Sequence, residues 1–280
     1  MNMKIIDTHL HLWDTGTLHY PWLQQVLAIN KTFLIDDYKK ATEAYEIESM
    51  VFVQCECLPG EALAELEFAA GQDKSDNRIK AMTAYAALEK GVAIEPYLQI
   101  LSTHPLVKSV RRITENEPGI CLQSNFLQAM KLLVKYDLKL DVSFKPFQTA
   151  EIISLIQQCP ENNFILDHLG KPAIANNGFD QFKKEIKQLA AFPNAVAKVS
   201  GLITEANWNN WSKEDIQPYV EYAIEQFGFE RLMFGGDWPV VLLAGSYKKW
   251  IDTVLEITKD CTAQQRDRLF YLNAKTIYHI

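Results

Sequence analysis

A regular alternation of short apolar runs and amphipathic stretches extends along the chain. The runs are apolar throughout rather than alternating, as in Met50–Val53 and Leu232–Phe234. Helical spacing follows in stretches such as Phe126, Met130 and Leu133, at i, i+4 and i+7. Strands that are apolar on both faces are typical of a parallel sheet covered by helices. The alternation therefore indicates an α/β fold.

Eight strand-then-helix units fit into the 280 residues, which matches the size and repeat number of a (β/α)8 TIM barrel. The predicted strands cover residues 4–7, 50–53, 79–85, 107–111, 138–142, 163–167, 195–199 and 232–234. No linker, low-complexity segment or charge block divides the chain. We therefore predict a single TIM-barrel domain over residues 1–280.

A doubly wound open sheet is the alternative fold. Such a sheet normally carries a Gly-rich first turn that binds a nucleotide. Here the first predicted strand runs into His9 and His11, and the sequence has no GxGxxG after a strand and no GxxxxGK[ST]. The barrel is therefore the favoured prediction.

Composition excludes several classes of partner. The chain is 48% hydrophobic and 22% charged, with a net charge of −7, so we expect an ordered globular protein. The densest basic spots, Arg111-Arg112 and Lys183-Lys184, are too short to bind a phosphate backbone, so no nucleic-acid partner is expected. No membrane partner is expected either, because no stretch approaches the ~18–20 apolar residues of a spanning helix.

The cysteines indicate a reducing compartment. The chain has five of them, an odd number, and only Cys55 and Cys57 lie close together in the sequence. This pattern does not resemble a disulfide framework, and without a second pair it does not resemble a zinc site. Asp7, His9 and His11 interrupt any apolar segment of a signal peptide. We therefore expect a cytoplasmic location.

The first predicted strand ends in an unusual pair of histidines. On a strand, His9 and His11 point to the same face, with Cβ atoms ~7 Å apart. Two imidazoles at this spacing can share one divalent ion. The alternative is two strand histidines that are satisfied by hydrogen bonds, and the pair alone does not decide between the two.

Polar residues also follow the other predicted strands. In a β/α barrel the carboxyl ends of the strands meet at the catalytic face, and buried polar groups are costly there unless they are hydrated, paired or functional. The residues at these ends are Gln54 and Glu56; Arg111 and Arg112; Asp141, Ser143 and Lys145; Asp167, His168 and Lys171; Lys198 and Ser200; and Asp237. Among them, Asp237 after two glycines and His168 before Gly170 are the candidate catalytic residues.

Several further residues are candidates for substrate binding. Arg111 and Arg112 point to opposite faces of a strand, so at most one of them faces the site, where it would bind an anionic or hydroxylated substrate. Trp22 lies in a loop and either stacks on a sugar-like ring or covers the barrel mouth. The remaining candidates, each also explicable as a solvated surface residue, are Lys145, Lys171 and Glu56.

Five motifs together resemble a known family. They are Ile6-Asp7-Thr8-His9-Leu10-His11-Leu12-Trp13, Tyr20-Pro21-Trp22-Leu23, Phe164 to Pro172, Lys198-Val199-Ser200-Gly201-Leu202 and Arg231 to Pro239. The chain is similar, from residue 4 to about 278, to the sugar-lactonase branch of the amidohydrolase superfamily, of the L-fuconolactonase and L-rhamnonolactonase type. The resemblance implies a (β/α)8 barrel and hydrolysis of a lactone ring to a hydroxy acid.

By motif, the resemblance carries over His9, His11, His168 and Asp237 as the core site and as the metal ligands if a metal binds. The strand-4 lysine that marks binuclear relatives has no counterpart in Val110-Arg111-Arg112, so two metals are not expected. The cofactor prediction is one divalent cation, zinc or manganese, or none. The expected partner is a small sugar lactone, and a homodimer is compatible with the sequence.

The mechanistic hypothesis is attack of water on the lactone carbonyl with Asp237 as general base. His168 either completes the ligand set or stabilises the oxyanion. Two alternatives stay open. One is a metal-dependent decarboxylase of the same superfamily, and the other is a non-catalytic protein that binds a sugar acid.

Overall fold

The computed structural model describes residues 3–280, apart from the side chain of Ser75, and it confirms the predicted (β/α)8 barrel. Within this range eight parallel strands pair in chain order, each with the next. The strands are β1 (Ile5–Leu10), β2 (Ile47–Val53), β3 (Ile79–Tyr85), β4 (Val107–Ile113), β5 (Lys139–Ser143), β6 (Phe164–Leu166), β7 (Ala195–Val199) and β8 (Leu232–Phe234).

A helix follows each strand and covers the outside of the barrel. These helices are α1 (Ile35–Thr42), α2 (Ala62–Asp76), α3 (Glu95–Thr103), α4 (Ser124–Lys135), α5 (Thr149–Gln158), α6 (Phe179–Ala190), α7 (Lys213–Phe227) and α8 (Tyr247–Ile257). Two short helices, α9 (Ala263–Asp267) and α10 (Asn273–Tyr278), end the chain. The apolar stripes face the sheet: Ile152, Leu155 and Ile156 of α5 are all buried. Burial of each such side chain contributes about 1.5–3 kcal/mol.

The barrel closes where β8 meets β1. The Thr8 hydroxyl donates to the Phe234 carbonyl at 2.7 Å. Just beyond, the backbone N–H of Asp237 donates to the His9 carbonyl, and that of His11 donates to the Trp238 carbonyl, both at 2.8 Å. These bonds join the loop that carries Asp237 directly to the strand that carries the histidines.

The first strand is longer than its apolar run predicts. β1 extends to Leu10, so His9 lies inside the strand rather than after its end. The apolar pattern stops at Asp7 because the following residues are polar, yet Asp7, Thr8 and His9 are each fully buried. Pairing with β2 and the closure against β8 hold these polar residues in the sheet. In residues 3–280 no helix is both long and apolar enough to cross a bilayer.

Candidate active site

A cavity of about 320 Å³ opens at the carboxyl ends of the strands, which is the size class of small-ligand sites. Its walls come from the loops after most of the strands, so residues far apart in the sequence share it. The lining residues are His11, Trp22, Cys55, Glu56, Arg111, Ile113, Glu115, Asn116, Ser143, His168, Lys171, Thr204, Asp237 and Val240.

The two histidines of β1 meet at the base of this cavity. Their Nε2 atoms are 3.2 Å apart, and both side chains are buried. Nδ1 of His11 lies 2.7 Å from the Val53 carbonyl, which accepts only, so this nitrogen carries the proton. The Nε2 lone pair of a neutral His11 therefore faces His9. The geometry agrees with the predicted inward-facing pair.

Both histidines are held in the neutral form. Burial lowers the pKa of His9 and of His11 well below the usual value, and for His11 the Arg111 guanidinium adds to this effect. Asp167 partly opposes the shift at His9, since its carboxylate lies 3.4 Å from Nδ1 of that ring. Neutral imidazoles can accept a proton, donate a hydrogen bond or bind a cation.

The third histidine lies on a strained turn after β6. His168, Leu169, Gly170 and Lys171 all have positive φ angles, between 52° and 76°. Such a run is rare for residues with side chains and is typical of functional sites. The turn places Nδ1 of His168 2.9 Å from the Ser200 hydroxyl at the end of β7. Burial lowers the pKa of His168 to about 3, so this ring is neutral too.

Asp237 completes the group from the end of β8. Its φ is 54°, and one carboxylate oxygen lies 3.8 Å from Nε2 of His9 and 3.6 Å from Nε2 of His11. Burial raises the pKa of Asp237 to about 8, although Lys171 and Arg111 oppose the shift. A carboxyl with a pKa near neutrality is suited to general acid–base chemistry.

These donors fit one divalent cation. One ligand atom each of His9, His168 and Asp237 lies within 4.8 Å of the others. His11 is not in that mutually close set, but its Nε2 faces Nε2 of His9 at 3.2 Å. Two nitrogen lone pairs that face each other repel unless a proton or a cation lies between them. Imidazole and carboxylate ligands are those that zinc prefers.

A buried charge network lies below the cavity, and it is formed by residues that the sequence placed at the ends of predicted strands without assigning them a role. The Lys198 ammonium of β7 lies 2.5 Å from Asp141 of β5 and 3.1 Å from Asp167, with all three side chains fully buried. Burial opposes these charges, yet Lys198 and His9 hold the pKa of Asp167 well below its usual range. Their position at the ends of predicted strands was the one feature of the sequence that could have indicated this network.

The two arginines of β4 separate as predicted. Arg111 lines the cavity, where its guanidinium lies 3.3 Å from Asp167 and donates to the Gln54 carbonyl at 2.5 Å. Arg112 points to the other face and pairs with Glu89 and Glu117. The structure therefore does not bring Arg112 to the cavity.

The remaining candidates are distributed around the rim. Trp22 lines the cavity and donates to the Cys55 carbonyl at 2.8 Å, and Glu56 also lines it, with a φ of 56°. Lys145 does not belong to the lining; its ammonium lies 3.5 Å from Asn116. Lys145 therefore contacts a residue of the cavity wall without lining the cavity itself.

Lys171 reaches the cavity in a setting that the sequence did not indicate. Its ammonium lies between two carboxylates, 3.4 Å from Glu115 and 3.2 Å from Glu205. Burial works against its charge, but the two carboxylates raise the pKa of Lys171 above the usual value. Both glutamates lie in loops beyond the predicted strand ends, which is why they were not among the candidates.

The chain is similar to several known proteins. A family profile described as Amidohydrolase matches residues 6–280. The uncharacterised protein y4mH of Sinorhizobium fredii is 30% identical, covering 100% of this chain and 99% of that protein. An L-fucono-1,5-lactonase of Burkholderia multivorans is 28% identical, covering 86% and 84%. A crystal structure of a B. multivorans amidohydrolase with bound zinc is 26% identical and covers 99% of both chains, with a TM-score of 0.87.

Proposed function

The chain belongs to the amidohydrolase family, and from this premise we propose that it hydrolyses small sugar lactones to the corresponding hydroxy acids. The observation that carries the proposal is the position of Asp237, a carboxyl with a raised pKa that faces two neutral histidines at the base of a small cavity. A relative at 28% identity is named as a lactonase, which favours lactone hydrolysis over decarboxylation.

In the proposed reaction, ionised Asp237 takes a proton from a water molecule as the water oxygen attacks the lactone carbonyl. The carbonyl oxygen becomes an oxyanion. The ring C–O bond then breaks, and the proton on Asp237 passes to the departing alkoxide. In a lactone the leaving oxygen stays attached to the same molecule and close to the carbonyl. Asp237 can therefore both take the proton from water and return it to the ring alkoxide.

Neutral histidines are suited to binding the oxyanion. If the Ser200 hydroxyl donates to Nδ1 of His168, the ring proton lies on Nε2, which then donates to the oxyanion. Arg111 adds a positive charge near the histidines, since one of its guanidinium nitrogens lies 3.4 Å from Nε2 of His9. Both groups are buried and held by neighbours, so little reorganisation is needed during the reaction.

His9, His11, His168 and Asp237 are also the residues that would hold a divalent cation, zinc or manganese. When bound, such a cation would polarise the lactone carbonyl and lower the pKa of water. The proton transfers at Asp237 and the contacts with the sugar hydroxyls remain the work of the protein's own residues.

The test is an assay of Asp237→Asn on a panel of 1,4- and 1,5-aldonolactones, with and without a chelator, together with elemental analysis. We expect loss of a general base to lower kcat about 10²–10⁴-fold on the best lactone. Asp180→Asn is the matched control, since that side chain is 89% exposed. Unchanged turnover in Asp237→Asn would remove this residue from the chemistry, and no turnover of any lactone by the wild type would refute the proposed function.

A further inference from the structure

The group formed by Glu115, Lys171 and Glu205, named the carboxylate–lysine clamp, lies beside the reacting centre. Lys171 and Glu115 line the cavity, and Glu205 follows the lining residue Thr204. Glu115 is held in place by the Ser143 hydroxyl, which donates to it at 2.7 Å. All three charged side chains are largely buried, with 15–23% of each exposed.

The clamp has one positive and two negative charges. The Lys171 ammonium already has two carboxylate partners, so it does not offer an unpaired charge to a substrate carboxylate. Glu56 adds another negative charge to the same cavity. The other lining cation, Arg111, is matched by Asp167 at 3.3 Å. The cavity therefore carries an excess of negative charge around polar, uncharged neighbours such as Asn116.

We propose that the carboxylate–lysine clamp selects uncharged polyhydroxylated lactones and excludes carboxylates, including the product of the reaction. This inference rests on the proposed function. Carboxylate oxygens accept hydrogen bonds from sugar hydroxyls, whereas a ligand carboxylate is repelled by the carboxylates of the clamp.

The proposed reaction itself changes the charge of the ligand. A bond forms between the water oxygen and the carbonyl carbon, the ring C–O bond breaks, and the resulting carboxylic acid releases its proton at neutral pH. A neutral lactone thus becomes an aldonate anion in a negatively charged cavity. The clamp favours binding of the substrate over the product, so release of the aldonate is assisted.

The experiment isolates charge from shape. For the best lactone of the panel, inhibition constants are measured for the aldonate product and for the matching aldonamide, which has almost the same shape but no charge. All proteins are treated identically with chelator. We expect the wild type to bind the aldonamide more tightly. In Glu115→Gln and Glu205→Gln, the ratio of the aldonate constant to the aldonamide constant should fall roughly tenfold.

A change of opposite sign keeps the test decisive if a glutamate variant does not fold. Lys171→Gln leaves two uncompensated carboxylates, so the same ratio should rise. In the wild type, added salt should lower the ratio because it screens the repulsion. Glu117→Gln is the matched control, since Glu117 lies two residues from Glu115 but is 49% exposed and pairs with Arg112. It should keep the wild-type ratio.

The outcomes separate this inference from the proposed function. Suppose that the wild type hydrolyses lactones, but the ratio of the aldonate to the aldonamide inhibition constant is the same in the clamp variants and does not change with salt. The clamp proposal is then overturned, and the lactonase proposal stands. If the wild type hydrolyses no lactone and binds neither inhibitor, both are overturned.

Discussion

Gly201 and His168 approach so closely that one methyl group at position 201 would displace the imidazole. A Cβ atom on Gly201 would lie 2.5 Å from Nδ1 of His168 and 2.8 Å from a carboxylate oxygen of Asp237. Gly201 also has a φ of 60°, which residues with side chains rarely adopt. The glycine after β7 is therefore part of the site, although it has no functional group.

Gly201→Ala should lower lactonase kcat/KM at least tenfold, because a shift of a catalytic group by about 1 Å costs up to two orders of magnitude. The backbone strain alone should cost only about 1 kcal/mol of stability. Gly119→Ala is the matched control, since its φ and ψ are 84° and −5°, also in the left-handed region, and nothing lies within 4 Å of a Cβ atom there. Equal activity of the two variants would contradict the close packing at Gly201.

The pH dependence should report the ionisation of Asp237. Burial raises its pKa to about 8, and a protonated carboxyl cannot act as a base. In chelator-treated protein, kcat/KM should therefore rise from about pH 6 to a plateau near pH 9, after subtraction of hydrolysis by hydroxide. Lys171→Gln should move the inflection to higher pH, because Lys171 lowers this pKa. A profile that is flat or falls over this range would rule out Asp237 as the base.

Lys198 should be a major determinant of stability. Lys198→Met leaves Asp141 and Asp167 buried without their common partner, which should cost about 3–5 kcal/mol of unfolding free energy. The double variant with Asp141→Asn should be less destabilised than the sum of the two single changes, measured by urea unfolding. Lys248→Met, which removes an exposed ion pair with Asp252, should change stability by less than about 1 kcal/mol. If Lys198→Met and Lys248→Met lost similar amounts of unfolding free energy, burial would not be what makes the Lys198 ion pairs important for stability.

Glu65 of α2 should make stability depend on pH. Its side chain is buried, which raises its pKa to about 8, and it accepts the Cys55 N–H at 3.0 Å. The folded protein therefore holds a proton that the unfolded chain releases near its ordinary pKa. The stabilisation is complete at low pH and is lost as pH rises toward 8.

Glu65→Gln keeps a hydrogen-bond acceptor but does not titrate. From pH 5 to pH 8 the unfolding free energy of the wild type should fall relative to this variant by roughly 3–4 kcal/mol. Urea unfolding at the two pH values measures the difference, with Glu67→Gln as an exposed control on the same helix. A difference that does not change with pH would contradict the raised pKa of Glu65.

The sequence was sufficient for the fold because the barrel depends on patterns that are local. Apolar runs and helical spacing located all eight strands in the order in which they pair, and the strands Ile79–Tyr85, Ala195–Val199 and Leu232–Phe234 were bounded correctly. The first strand was too short in the prediction. Its buried polar residues are held by pairing with distant strands, which no local pattern records.

For the site, the sequence by itself determined the chemical groups. The strand-end position of His9, His11, His168 and Asp237 predicted that they would meet, and they do. Only the tertiary structure decided how they are charged and what surrounds them. The raised pKa of Asp237, the choice of Arg111 over Arg112, the network below Lys198 and the two carboxylates on Lys171 all depend on distances of a few ångströms between chain segments remote in sequence. Electrostatic energy in a buried site varies steeply over such distances, and a linear pattern does not contain them.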